Sequence, residues 1–335
     1  MMEYKIGIVV DKPNIEKNTE ANSADEQKQV TADKINEVLS KKYKLINIIA
    51  DEKIIENLKN SNVDIVFNLS TGVSGESRQS QMPAILEMLN IPYVGSGILA
   101  HAMALNKAVA KLIFLFHQVI TPNFQVFNTG KEEIDLDLKF PVIIKPACEG
   151  SGFGIHKDSV VYSEEALYKK VMELLRRYQP PVLAEEFIEG REFTVGIIGN
   201  GKGKMILPIL EIDFKDIPEE YGKFYTFEVK TNFGDQTGYY CPAPLREETE
   251  KAIKENASKA FDSLGCRDIA RVDVRLKDDK PYIIEINSLP GLQPVYSDLP
   301  KMADAADMSY EELLTRILEE AIKRIENNKE MYKRR

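Results

Sequence analysis

Short apolar runs alternate with amphipathic stretches over the first hundred residues. Tyr4–Val10 reads as a buried strand. Ser23-Ala-Asp-Glu26 has the spacing of a capping box and is expected to open a helix, with Val30, Ile35, Val38 and Leu39 at helical intervals. Strands are expected over Leu45–Ile49 and Val63–Leu69 with a helix over Glu52–Lys59 between them, then a helix at Met82–Leu89 and a short strand at Pro92–Val94. Such alternation predicts a parallel sheet covered by helices. No G-x-G-x-x-G follows the first strand, which argues against a dinucleotide site.

A helical stretch, Leu99–His117, leads into a different texture. Strands are expected at Phe124–Phe127, Val142–Lys145 and Val182–Phe187, with a helix over Ser163–Arg177. Further on, Phe193–Ile198 and Met205–Ile212 flank the turn Gly199-Asn-Gly-Lys-Gly203, and Ala270–Leu276 and Pro281–Ile286 flank Lys277-Asp-Asp-Lys280. A helix over Glu247–Leu264 ends at Gly265, and another opens at Ser309-x-x-Glu312 with Leu313, Leu314, Ile317, Leu318, Ile322 and Ile325 on one face. The second half is therefore α+β with antiparallel sheet, and there are no internal repeats.

At 335 residues, 43% hydrophobic and 29% charged, the chain is long enough for two or three lobes and for a substantial core. The net charge of −9 argues against nucleic acid and polybasic membrane contact. Basic residues crowd only the tail, at Lys329, Lys333, Arg334 and Arg335. Cys148, Cys241 and Cys266 are odd in number and far apart, which suggests a reducing compartment, and the three scattered histidines make a zinc site improbable. Met1–Lys5 before the short Ile6–Val10 run lacks the longer apolar core expected of a signal peptide, and no stretch approaches 18 apolar residues. A cytoplasmic protein is expected.

The most informative segments are Ala270-Arg-Val-Asp-Val274 and Ile283-Ile-Glu-Ile-Asn287. Alternation along a strand places Arg271 with Asp273, and Glu285 with Asn287, while Val272, Val274, Ile284 and Ile286 take the opposite faces. Paired in a hairpin, Asp273, Glu285 and Asn287 form a hard-oxygen set suited to Mg²⁺ or Mn²⁺ held against phosphates. A solvated polar sheet face has the same period. In Lys145-Pro-Ala-Cys-Glu-Gly-Ser-Gly-Phe-Gly154, glycines free backbone amides for an anion beside a strand-end lysine, without the G-K-[ST] of a Walker loop. In Val182-Leu-Ala-Glu-Glu-Phe-Ile-Glu-Gly-Arg-Glu-Phe193, Phe187 and Ile188 could grip an adenine with a carboxylate for the ribose; on spacing alone a charged edge strand fits as well.

In combination, Asn106-Lys107, Lys145…Glu149-Gly-Ser-Gly-x-Gly154, Glu185-Glu-Phe-Ile188, Glu192, Arg271-x-Asp273 and Glu285-x-Asn287-x-x-Pro290-Gly291 resemble the ATP-grasp ligases, in particular the D-alanine–D-alanine ligase branch. Gly75-Glu76, Ile91-Pro-Tyr-Val-Gly-Ser-Gly97, Cys241-Pro-Ala and Leu264-Gly-Cys-Arg267 extend the resemblance over nearly the whole chain. It implies three lobes, drawn at residues 1–101, 102–183 and 184–330, with a basic tail at 331–335. By position, Lys107, Lys145 and Lys230 would contact ATP phosphates under the loop of Glu149, Gly150, Ser151, Gly152 and Gly154. The segment of Glu185, Glu186, Phe187 and Ile188 would hold the adenine, with Glu185 and the Ile188 backbone on its edge, and Glu192 would bind the ribose. Asp273, Glu285 and Asn287 would hold two Mg²⁺, and Arg271 and the Gly291 amide would face an oxyanion. Glu76, Thr231 and Ser297 would meet the amino-acid substrates. The resemblance also implies a homodimer.

The departures gather in the amino-acid pocket. The branch usually carries Gly-Gly-x-Ser-x-Glu after the first strand, where this chain has Asp11-Lys-Pro-Asn-Ile-Glu16. Its tyrosine aligns with Thr231, the segment Asn287–Ser297 is one residue longer, and Asn68–Gln79 replaces His-Gly-x-x-Gly-Glu-Asp-Gly. An ATP-dependent carboxylate–amine ligase is the leading expectation. A ligase for a different amino acid or amine, and a non-catalytic ATP-binding regulator, are the alternatives.

Overall fold

The computed structural model describes residues 4–12, 20–150, 152–178, 181–218, 221–222, 224–226, 228–229, 233 and 236–328, with the side chains of residues 20–27 outside that set. Three sheets organise it. The first is parallel, in order β2-β1-β3-β4, from β1 (Lys5–Asp11), β2 (Lys44–Ala50), β3 (Ile65–Asn68) and β4 (Tyr93–Val94). Helices α1 (Glu20–Leu39), α2 (Ile54–Ser61) and α3 (Gln81–Met88) alternate with these strands. Because the sheet is covered on both sides, Ile6, Ile8, Val9 and Val66 are all fully buried, the pattern of a strand run without polar alternation.

The expected helix over Leu99–His117 is two helices, α4 (Ile98–Leu105) and α5 (Lys107–Phe116), bent by 104°. The apolar pattern runs through the bend, but Asn106 accepts from the Val109 amide at 3.2 Å and caps a new helix. Lys107 thereby sits on the first turn of α5.

The central sheet is antiparallel, in order β5-β8-β6-β7, from β5 (Phe124–Phe127), β6 (Val142–Pro146), β7 (Val160–Val161) and β8 (Val182–Glu186). Helix α6 (Glu164–Arg177), capped by Ser163, packs Leu167, Val171 and Leu174 beneath it. The third sheet holds β9 (Arg191–Ile198), β10 (Met205–Ile206), β11 (Leu210–Asp213), β12 (Gly238–Tyr240), β13 (Ile269–Lys277) and β14 (Lys280–Asn287), also antiparallel. Helices α7 (Glu247–Ser263), α8 (Asp298–Asp304) and α9 (Tyr310–Asn327) complete it.

Other local expectations need correction. Helix α1 begins at Glu20, so Ser23 lies inside its first turns rather than capping it, and Val30 is exposed while Ala32, Ile35 and Leu39 are buried. The run Met205–Ile212 splits into β10 and β11 around Pro208, which has no amide to give a ladder. Ile284 does not join the core face. The β13–β14 register shifts after Asp273, Val274 pairs with Ile283, and the extra residue turns Ile284 toward the cavity face. Strands β7 and β12 and helix α8 carry too few residues for their pattern to register. The hairpin turn fits its sequence: Asp278 and Asp279 have φ of 50° and 59°, the left-handed pair of a two-residue turn. The Ser309–Glu312 capping box also forms.

The first and third sheets share one core, in which Ile6, Ile8 and Phe67 meet Ile198, Leu313 and Ile317. Buried Asp268 ties them polarly. It accepts from the Gly95 amide at 2.8 Å, from Asn200 at 2.9 Å, and from both arms of Arg324. Each buried carboxylate oxygen thus has donors, without which burial of the charge would be strongly unfavourable. Among the described residues no single helix is long and apolar enough to cross a membrane.

Candidate active site

A cavity of about 800 Å³ lies between the central and third sheets and reaches Lys28 and Thr31 of α1 and Leu69 and Thr71 just after β3. Strands β13 and β14 form its floor. Arg271 pairs with Asn287 and Asp273 with Glu285, so all four project from one face, while Val272 and Ile286 enter the core beneath. Arg271 clamps Asp273 with two nitrogens at 2.9 and 2.8 Å and reaches Asp298 at 3.3 Å. Burial and the neighbouring Glu285 raise the Asp273 pKa against the pull of Arg271. For Glu285 burial acts upward, but Lys107, Lys145 and Arg271 outweigh it and bring the pKa down to about 2. One carboxylate opposite another is held charged by cations above it.

Lys107 joins three parts of the site. Its ammonium lies 3.1 Å from Glu285 and donates to the Glu149 carbonyl at 2.5 Å, and its amide donates to Ala147 at 2.9 Å. The glycine-rich loop begins there. Gly152 and Gly154 have φ of 81° and 75°, and a Cβ on Gly154 would come within 2.7 Å of Pro146. Gly150, Gly152 and Phe153 line the cavity; Gly154 supports the loop from behind.

Behind the floor is a cluster not anticipated from the sequence. Lys111, fully buried, lies 2.8 Å from Glu185 and donates to Thr121 at 2.6 Å, which in turn donates to the Ile283 carbonyl at 2.7 Å. Lys145 takes the other Glu185 oxygen. Burial drives the Lys111 pKa down to about 8 against the Glu185 charge. Two lysines on one carboxylate leave a net positive charge at the end of β6. The signal was available: Lys111 follows Lys107 by one turn in an otherwise apolar helix.

The rest of the cavity is mixed. Ile143, Phe153, Phe187, Ile188, Phe224 and Ile284 line an apolar slot. Arg275 stacks 4.9 Å over Phe187 and donates to Glu192 at 2.8 Å, fixing that carboxylate at the slot's rim. Glu186 turns to the Lys139 amide at 3.1 Å and Asn123 at 3.2 Å. Ser297, Lys301, Tyr225, Tyr239 and Tyr296 line the opposite end with Gly291. Ser297 Oγ accepts from the Gln293 amide at 3.1 Å. Glu76 is exposed and does not line the cavity, contrary to expectation. Ser151, Lys230, Thr231 and the tail 331–335 lie outside the described residues. Arg78, also unanticipated, crosses from the first lobe to the loop, donating to Glu149 at 3.1 Å and to the Cys148 carbonyl at 3.3 Å.

Among the described residues no cluster of three His, Cys, Asp or Glu side chains suits a metal. Asp273, Glu285 and Asn287 do fit Mg²⁺ as a carboxylate–carboxylate–amide set of hard oxygens on one face. In the structure their negative charge is balanced by Arg271 and Lys107, and the Asn287 amide nitrogen faces Asp273 at 3.0 Å.

The structure resembles the crystal structure of D-alanine–D-alanine ligase from Bacillus anthracis complexed with ATP, with a TM-score of 0.76 at 25% identity over 97% of this chain and 99% of that one. The fold is therefore the three-lobed ATP-grasp fold, mixed α/β and α+β as expected, and the protein is an ATP-grasp ligase. Residues 109–319 match the family model described as D-ala D-ala ligase C-terminus. The D-alanine–D-alanine ligase of Syntrophotalea carbinolica is 36% identical over 82% of this chain and 85% of its own. That of Carboxydothermus hydrogenoformans is 36% identical over 86% and 91%. An uncharacterized protein of Sinorhizobium fredii is 35% identical over 79% and 76%. The chain belongs to the D-alanine–D-alanine ligase family.

Proposed function

We propose that the protein joins the carboxylate of one amino acid to the amine of a second at the expense of ATP, with D-alanine as the reference substrate. The observation that carries this reading is the convergence of Lys107, Lys145, Arg271, Asp273 and Glu285 on one cavity floored by β13 and β14. A carboxylate is a poor electrophile; its oxygen attacks the γ-phosphorus of ATP, ADP leaves and an acyl phosphate forms, and Asp273, Glu285 and Asn287 would hold Mg²⁺, which would neutralise phosphate charge. Lys107 and Lys145 add fixed positive charge on the loop side of that transfer, and Lys230 is assigned there by position. Phe187, Ile188 and Ile284 provide an apolar surface for the adenine, and Glu192 a carboxylate for ribose hydroxyls.

Glu185 lines the cavity beside the adenine edge assigned to it and, held by Lys111 and Lys145, also orients Lys145. The amine attacks the acyl carbon, Arg271 and the Gly291 amide stabilise the oxyanion, and phosphate leaves as the deprotonated amine becomes the amide. The glycine-rich loop covers the site, keeping water from the acyl phosphate. Ser297 marks the acceptor end.

The test is ADP and phosphate release with a panel of D- and L-amino acids. Stimulation by an amino acid, with amide product detected by mass spectrometry, supports a ligase. Tight ATP binding without stimulation by any amine assigns the chain to the regulatory alternative.

A further inference from the structure

The tyrosine-lined end of the cavity holds a cation whose donors are not spent on the described residues. Of the cavity's cations, Lys28 donates to Asp11 at 2.7 Å, Lys107 to Glu149, Lys145 to Glu185, Arg271 to Asp273 and Arg275 to Glu192. Lys301 alone, among the described residues lining the cavity, has no acceptor within hydrogen-bonding distance. Its ammonium rests 3.5 Å over the Tyr239 ring and 3.8 Å from Asp298. Asp298 gives its other oxygen to Arg271 at 3.3 Å. It thus holds a positive charge nearby without occupying the three N–H donors. Burial lowers the Lys301 pKa, with Asp298 acting against it. A half-desolvated ammonium facing a cavity gains most from an anion that completes its shell.

Position supplies the ligand's shape. Ser297 is the N-cap of α8 and Lys301 lies four residues on, so the two stand on one helix face roughly 5–6 Å apart at Cβ. With Ser297 assigned to the α-carboxylate of the acceptor, Lys301 beside it in the cavity lining has donors left for a second group. We propose that Lys301 reads a second anionic group on the amine-bearing substrate, so that the acceptor is a dicarboxylic amino acid. The inference rests on the ligase reading for the word acceptor, but the subsite can be tested by binding alone.

Glutamate, glutamine and alanine, each as both enantiomers, are titrated by calorimetry into the protein with Mg²⁺ and a non-hydrolysable ATP analogue, and the same set is assayed for ADP release. One enantiomer of glutamate is expected to bind about tenfold or more tighter than the isosteric glutamine. In Lys301→Met that preference falls to near one, and in Lys301→Arg it is largely kept, with thermal unfolding confirming that both variants fold. Equal affinity for glutamate and glutamine in the wild type, or a preference that survives Lys301→Met, overturns the proposal. A Lys301-dependent preference without turnover upholds the subsite and removes the ligase reading; turnover with no preference does the reverse.

Discussion

The two ends of the cavity are built differently. At the phosphate end each charged side chain is fixed by at least one partner on another element: Lys107 by Glu285 and the Glu149 carbonyl, Lys145 by Glu185, Asp273 by Thr194 of β9 and Asn287 of β14. Strands and a helix start supply these groups, so their spacing is set by main-chain ladders. The acceptor end is made of the loop 288–297, Tyr225, Tyr239 and Lys301. Val295 there has φ of 68°, an unusual conformation for a β-branched residue. A rigid half suits a reaction step common to many substrates, and an irregular half is where specificity can change without disturbing it.

The comparison breaks most directly at Glu285. Glu285→Ala removes a carboxylate from the floor and leaves Lys107 with the Glu149 carbonyl as its acceptor. We expect turnover to fall by at least about a hundredfold, as for other preorganised electrostatic groups. Near-wild-type ADP release in that variant would move the metal and phosphate site elsewhere. Arg271 stands where the two ends meet. Arg271→Ala is expected to cost about 10²–10³ in product formation while ATP affinity changes little. Since it also leaves Asp273 and Asp298 short of a cation, Arg271→Lys is the companion variant. Equal loss of ATP binding and turnover in both would make Arg271 a structural residue.

The same contrast explains what could be read from the chain. Asp273 and Glu285 were assignable because a two-residue turn fixes their strands and period two fixes their face. The bulge that redirects Ile284 was not, since it depends on how β13 is also paired with β9. The bend at Asn106 was masked by apolar positions on both sides, although its capping residue was visible. Lys111 stood out as a lysine in an apolar helix, but its meaning lies in Glu185 on another sheet, a partner that no local pattern encodes. Glu76, matched by a motif alone, ended on the surface. Lys301 and Asp298 lie on a seven-residue helix too short to announce itself.

A smaller effect tests how firmly the rigid half is held from behind. His101 on α4 is buried, and its Nδ1 is 2.7 Å from Ser288 Oγ, the residue after Asn287. Burial first, then the charge of Arg267, brings its pKa from 6.5 down to about 4. The unfolded chain therefore binds a proton that the fold refuses between those values, and stability falls as pH drops from about 6.5 toward 4. Urea unfolding at pH 7 and pH 5 should show His101 contributing about 2 kcal/mol of that loss. His101→Gln should remove this part of the pH dependence, whatever it does to stability at pH 7. An unchanged difference between the two pH values would show that other groups carry it.

The smallest effect concerns the loop that bridges the ends. Arg78 holds Glu149 from the first lobe at 3.1 Å, with both side chains partly exposed. Such a pair is worth roughly 1 kcal/mol or less, so Arg78→Ala should raise the KM for ATP only a few-fold and leave kcat for the phosphoryl step nearly as it was. Glu149→Ala should do the same, and the double variant should be no worse than either single one, because both remove one contact. Additive losses would mean that Arg78 acts through the Cys148 carbonyl rather than through Glu149, and that the loop is anchored by its backbone. In that case the loop belongs with the rigid half of the cavity, and the boundary between the two halves shifts to Gly291.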